Sequence, residues 1–288
     1  MIRTIFCLFA LTTLPAWAEP RFIAERQEGL KLVQGGKHAE AAAFFVKLAE
    51  TAAKPEQKCD ALRHAALATA RDKQIEAALL LADRIPLKPD ADFAKVQIFL
   101  EARKWTELLK ATEMLDVATW PDSLIYPTLI ARARARSALG EMAASEADAI
   151  QAIQHTISLN DQAAAWHLIA QNAQRTGKDG TRALEAYAEM IRLKPTGGSL
   201  QRALIERARL LSSLGKHDAA LADLADLDKN SNNDPHWICT ALIAYGEVHR
   251  DMGDKAKARL SFERAARVPG VPAVLLDEAN KRLAELKP

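Results

Sequence analysis

The sequence predicts an all-α protein, an α-solenoid of about seven helix-turn-helix hairpins closed by one C-terminal capping helix. Three observations lead there. Small residues recur at Gly29, Ala66, Ala133, Ala170, Ala208 and Gly246 in steps of 37 or 38 residues, with one gap between Ala66 and Ala133. Each lies twelve or thirteen residues before a second small residue, at Ala41, Ala78, Ser145, Ala183, Ala220 and Ala258. The chain of 288 residues is 49% hydrophobic but only 6% aromatic, so alanine and leucine do most of the apolar filling, as close helix packing requires.

The amino terminus reads as a targeting segment. Arg3 supplies a positive start, residues 5–14 an apolar run, and Ala16-Trp17-Ala18 a small-x-small cleavage site before the polar Glu19. The expected signal peptide is therefore residues 1–18, cleaved after Ala18. The run is short for a bilayer span and Pro15 interrupts it. Cys7 lies inside the run and not at the junction, which argues against a lipid-modified terminus. The expected location is the periplasm of a Gram-negative source, or outside the cell, with no integral membrane segment left after cleavage.

The mature chain, 19–288, divides into expected hairpins at about 21–53, 56–85, 90–116, 121–157, 161–193, 198–228 and 234–269, with a cap at 271–287. In the first, Gly35-Gly36 makes the turn. Residues 90–116 fill the gap in the repeat, with Val96 at the first small position and Leu108 at the second; Pro86, Pro89 and Pro121 bound this degenerate hairpin, and a change of pitch rather than a domain break is expected there. The fifth hairpin carries Trp166, Ile169, Ala170 and Ala173, then Ala183-x3-Tyr187 and Pro195, after an insertion of one residue near 178–181. The sixth turns at Leu214-Gly215-Lys216-His217. A polar linker follows, ending on Asp234 before Pro235, a ready N-cap.

The seventh hairpin is the most complete. Leu242, Tyr245, Gly246, His249 and Met252 fall at helical spacing, Gly253 reverses the chain, and Ala258 and Phe262 lie on the returning helix before Pro269. Glycine inside a helix costs roughly 1 kcal/mol against alanine, so Gly246 implies a partner helix that crosses too closely for a side chain. These spacings resemble the tetratricopeptide repeat, with His249 where that family usually has Tyr and Leu242 where it usually has Trp. The resemblance covers residues 21–269 and implies a right-handed superhelix whose first helices line a concave groove. The charged residues Asp277, Glu278, Lys281, Arg282 and Glu285 suit the last helix to closing the stack.

The sequence shows no recognisable catalytic or cofactor motif. The seven histidines lack metal-ligand spacing, no phosphate loop or nucleophile elbow occurs, and Gly197-Gly198-Ser199 reads as a linker, so no cofactor or metal is expected. His38 and His217 sit at equivalent turns and read as structural. Lys and Arg number 39 against 37 Asp and Glu, a net charge of +2 that gives no long-range attraction to nucleic acid, so any electrostatic function must be local. Cys59 and Cys239 fall in hairpins two and seven; five repeats at about 10 Å each hold them beyond disulfide reach, and both are expected as buried free thiols.

By the resemblance, positions one step and one turn from each small residue face the partner. They are Arg26, Arg63, Arg134, His167, Gln171, Gln174, Arg175, Arg202, Arg209, Glu247 and Arg250. That lining looks basic and amide-rich. Arginine forks suit carboxylates, so the expected ligand is a protein or peptide, either acidic or presenting a free C-terminal carboxylate, gripped where Arg175, Arg202 and Arg209 converge with Gln171. The paired Lys and Asn pattern of the family's carboxylate-clamp domains is not reproduced. The expected function is a non-catalytic interaction scaffold. Two alternatives are a cell-envelope assembly or cell-division factor of the periplasmic tetratricopeptide type and, more distantly, an enzyme or accessory subunit acting on the cell wall.

Overall fold

A computed structural model describes residues 19–177, 180–230 and 234–286 of the chain. The expected signal peptide and the insertion at Lys178-Asp179 lie outside the described residues. Among those described there are fifteen α-helices, one short 3-10 turn and no strand. The chain forms two compact units, one ending at Ala135 and the other beginning at Arg136.

The first unit contains α1 (Pro20–Gln34), α2 (His38–Thr51), α3 (Pro55–Arg71), α4 (Ile75–Ala82), α5 (Lys88–Glu101), α6 (Trp105–Glu113), a 3-10 turn (Val117–Thr119) and the start of α7 (Asp122–Leu139). Proline opens α1 and α3 and sits in the first turn of α5, where its missing N–H has no intrahelical partner in any case. Each helix packs on the next, and α3 packs on α1 and α5 as well. The second unit continues with α8 (Met142–Ile153), α9 (Leu159–Arg175), α10 (Thr181–Leu193), α11 (Ser199–Ser213), α12 (His217–Asn230), α13 (Pro235–Asp251), α14 (Lys255–Ala265) and α15 (Ala273–Glu285). Here too neighbours pack in sequence, with α9 on α11 and α11 on α13 along the first-helix row. Helix α12 runs to Asn230, two residues into the expected linker. Asp234 caps α13 by accepting from the His236 amide at 2.8 Å.

One register runs through both units. Gly29, Ala66, Val96, Ala133, Ala170, Ala208 and Gly246 are all buried. The residue sixteen positions further on (seventeen in the fifth hairpin) is Phe45, Ala82, Thr112, Ala149, Tyr187, Leu224 and Phe262 in turn, and each is at most 1% exposed. The two glycines face the two phenylalanines. A Cβ added at Gly29 would lie 2.5 Å from Phe45 Cζ, and one at Gly246 would lie 2.6 Å from Phe262 Cδ1, inside any tolerable carbon contact. The second small position is fully buried as well, from Ala41 and Ala78 to Ala220 and Ala258.

Seven residues after the first small position the backbone turns left-handed. Five hairpins place glycine there, at Gly36, Gly140, Gly177, Gly215 and Gly253; hairpins two and three place Lys73 at φ 64° and Arg103 at φ 53°. At the far end α15 buries Leu275, Ala279 and Leu286 against the α13–α14 hairpin and turns Asp277, Asn280, Lys281 and Glu285 outward. Cys59 and Cys239 are buried free thiols, and burial pushes both above the ordinary thiol range.

Two substitutions test the register in opposite directions. Gly246→Leu forces a branched side chain into the Phe262 ring and should cost roughly 1–3 kcal/mol or more, with lost hydrogen-exchange protection centred on α13, α14 and α15. Lys73→Gly relieves a left-handed residue with a Cβ and should stabilise the first unit by about 1 kcal/mol. Equilibrium denaturation measures both; an unchanged midpoint for Gly246→Leu would show the register to be wrong.

Candidate partner-binding surfaces

In the first unit the predicted arginines are already engaged. Asp60 on α3 is buried and accepts from Arg26 Nε on α1 at 2.7 Å and from Arg63 at 2.8 Å. The Arg63 guanidinium also stacks 5.8 Å from the centroid of the Phe93 ring on α5. His64 completes the cluster. Its Nε2 lies 3.1 Å from Arg26 Nη2, and its ring stacks at 5.0 Å on Phe45, the same ring that fills the space beside Gly29. Burial would raise the Asp60 carboxyl; His64 and the two guanidiniums outweigh that and hold it below the usual range. Burial drives His64 the other way, down to about 4, with Asp60 opposing the shift and Arg63, Arg26 and Arg71 adding to it. Arg134 on α7 is half-buried, and that burial lowers its pKa. The first unit's arginines therefore tie first helices to one another.

In the second unit the first helices line two concavities. The smaller, about 390 Å³, is formed by Arg209, Ser212, Glu247, Val248, Arg250, Asp251, Glu278 and Arg282. Its charges close on themselves. Glu247 accepts from Arg209 at 2.9 Å and from Arg282 of α15 at 3.0 Å, while Arg250 lies 3.2 Å from Asp251 and 4.0 Å from Glu285. Ser212 donates to Asp251 at 2.8 Å. At this concavity Glu247 of the next first helix offsets Arg209, and Asp251 of the same helix with Glu285 of α15 offsets Arg250, so its lining is of mixed charge.

The second concavity, about 420 Å³, is lined by Ser137, Gln171, Gln174 and Arg175. Arg175 donates through Nη1 to the Ser137 carbonyl at 2.8 Å and to Ser137 Oγ at 3.0 Å. Beneath it, Ser137 Oγ donates to Asn172 Oδ1 at 2.5 Å, and Asn172 Nδ2 donates to Ser145 Oγ at 2.8 Å; all three residues are buried. Gln174 Oε1 accepts from Tyr187 at 3.2 Å, which leaves its amide N–H groups pointing away from that bond. Gln171 is exposed and makes no side-chain hydrogen bond among the described residues. The site is thus a set of donors on a fixed base: two amides, and the Nε–Nη2 edge of an arginine pinned by its other nitrogen.

The structure brings Gln171 and Arg175 together and keeps Arg209 in the other concavity. Arg202 is exposed near the start of α11 and lines neither, and the half-buried His167 rests 6.5 Å from the Tyr187 ring. Sequence reasoning missed the Ser137–Asn172–Ser145 base and the reach of Arg282 from α15. A signal for the first was present, because Ser137 and Ser212 both lie four residues after a small position and both accept or donate across to the next first helix.

Helices packed consecutively, hairpin on hairpin, define the class: an all-α solenoid. No protein-family model matches the chain, and no curated protein matches it. Among solved structures it is similar to a tetratricopeptide repeat protein from Parabacteroides merdae, with 15% identity over 91% of this chain and 98% of the other and a TM-score of 0.49. It is also similar to yeast Tom70, with 16% identity over 95% of this chain and 66% of that one and a TM-score of 0.45. Among the described residues no helix is long and apolar enough to cross a membrane.

The His64 cluster sets a pH dependence with a definite sign. Its folded pKa, about 4, lies below the unfolded value near 6.5, so the stability it confers is complete above about pH 6.5 and is lost as pH falls toward 4. Asp60, lowered, adds a loss only further into acid. Between pH 6.5 and 4.5 wild type should lose about 2 kcal/mol more than His64→Gln. Urea denaturation of both proteins at the two pH values checks this; equal losses would show His64 to be solvated.

Proposed function

We propose that this chain is a non-catalytic protein-interaction scaffold, exported through residues 1–18, whose second unit grips a carboxylate of its partner at Arg175. The observation that supports it is the half-used guanidinium. Arg175 is fixed by Ser137 through Nη1, its Nε–Nη2 edge makes no hydrogen bond or ion pair among the described residues, and it lines one concavity with Gln171 and Gln174. That edge matches the two oxygens of a carboxylate in a bidentate pair, and pinning the side chain in advance removes entropy that a mobile arginine would lose on binding. Among the described residues no carboxylate lines this concavity, in contrast to the one around Glu247. A peptide side chain or a free carboxyl terminus supplies the same group, and the two amides pair with main-chain carbonyls beside it.

An array of acidic peptides tests the reading, each presented with a free and with an amidated carboxyl terminus beside its Gln-substituted control. Retention should depend on a carboxylate and fall about tenfold or more in Arg175→Ala, the worth of one charged hydrogen-bonded contact. Gln171→Ala, which breaks no internal bond, should weaken binding less and leave the melting curve unchanged. Equal retention of carboxylate and amide forms by wild type would sink the proposal. Export is checked separately by N-terminal mass spectrometry of the mature chain, expected to begin at Glu19.

A further inference from the structure

Helix α14 differs from the other second helices in what it shows to solvent. Ala258, Phe262 and Ala265 are fully buried on one side. The opposite side exposes Ala256, Lys257, Leu260, Arg264 and Arg267, with Lys255 and Arg259 at its margins. Ala256, Leu260 and Arg264 follow one another at four-residue steps along α14, and the exposed Arg267 lies in the turn that follows it, so Leu260 has cations on either side along the chain. Leu260 is 57% exposed. The side chains of Lys255, Arg264 and Arg267 make no hydrogen bond or ion pair among the described residues, and Arg259 only donates to the Leu286 carbonyl at 3.3 Å.

Counter-charge on this stretch is slight. Asp254 is occupied in capping the helix and pairing with Lys257 at 3.1 Å, and Glu263 is half-buried at the edge of this face. Nor is the face a general property of the repeat. In the preceding hairpin the position equivalent to Arg264 is Asp226, and α12 also exposes Asp218. Among the described residues α14 therefore presents a local cationic face with an apolar residue at its centre.

We infer that the outward face of α14 docks on a membrane surface rich in anionic phospholipid. Lys257, Arg264 and Arg267 would meet lipid phosphates, Lys255 and Arg259 would add to them at the rim, and Leu260 would reach the headgroup–acyl boundary. A flat phosphate surface suits cations spread along one exposed helix face, of which Lys255, Arg264 and Arg267 are unpaired among the described residues. The central leucine favours lipid over a nucleic-acid backbone, which offers no apolar layer. This contact lies on α14 and uses neither Arg175 nor its concavity, so it is independent of the peptide-binding reading.

The mature full-length chain should co-sediment with vesicles of phosphatidylcholine and phosphatidylglycerol at seven to three, and not with phosphatidylcholine alone. Each cation near an anionic surface is worth about 1 kcal/mol, so Arg264→Glu with Arg267→Glu should weaken partitioning about 30-fold or more. Leu260→Gln should weaken it less and leave its salt dependence intact. Arg264→Gln with Arg267→Gln repeats the test with less electrostatic perturbation if the reversed variant fails to fold. Equal partitioning of wild type and the charge variants would overturn the inference. So would binding to neutral vesicles at the same level, or retention on duplex oligonucleotide without retention on anionic vesicles.

Discussion

The structure depends on one steric constraint, the close crossing of the two helices within each hairpin. Volume there is shared between two positions, one on each helix. Where the first helix has glycine, the second supplies phenylalanine, as in Gly29 with Phe45 and Gly246 with Phe262. Where the first has alanine or valine, the second in most hairpins carries alanine, threonine or leucine; Ala170 is answered by Tyr187, whose hairpin carries one extra residue. In the two glycine hairpins the ring takes the space that a first-helix side chain would otherwise fill, so added volume there has nowhere to go. Helix spacing follows from the crossing, and so does the angle at which the next hairpin can stack.

Steric constraints of this kind are legible in a sequence because they act on residue type directly. Only a missing side chain admits the Phe262 ring, and only a left-handed turn seven residues later sends the chain back, so Gly246 and Gly253 declare themselves. The hairpins at Lys73 and Arg103 were harder to see because a cation stands where glycine would mark the turn, yet the backbone makes the same turn. The shared repeat geometry overrides local preference at those two positions. Residues 90–116 were legible only by alignment to their neighbours, since Val96 and Thr112 fill the crossing without any small-residue signature.

Charge was legible as position but not as state. The register correctly put Arg63, Arg209 and Arg250 on first helices, but whether an arginine is free depends on what the adjacent first helix offers one repeat later. Asp60 answers Arg26 and Arg63; Glu247 answers Arg209, and Arg282 arrives from a helix beyond the last hairpin. Arg63 and Asp60 are neighbours on one helix, but Arg26 with Asp60 and Arg209 with Glu247 are 34 and 38 positions apart and require the rise between hairpins, which no local pattern encodes. Arg175 differs because its neighbour presents Ser137 rather than a carboxylate. A hydroxyl and a carbonyl orient a guanidinium without cancelling its charge, so this arginine is held in place and remains available.

The same distinction explains how a chain of net charge +2 can still hold locally uncancelled charge. Several of its arginines serve cohesion: within the second unit, Arg136 binds the buried Asp148 at 2.6 Å and Arg207 binds Asp223 through both its Nε and Nη2. Buried pairs of this sort add little net stability over apolar packing, yet removing one partner would strand the other in a poor dielectric, so they fix which helix faces which. Among the described residues the Nε–Nη2 edge of Arg175 and the side chains of Lys255, Arg264 and Arg267 are not drawn into such pairs. Because an ordered array transmits each contact only to its neighbours, such positions are free to diverge in sequence while the crossings beneath them stay filled. The fold is carried by buried small and aromatic residues, and the surface charges above them are not needed to hold the crossings.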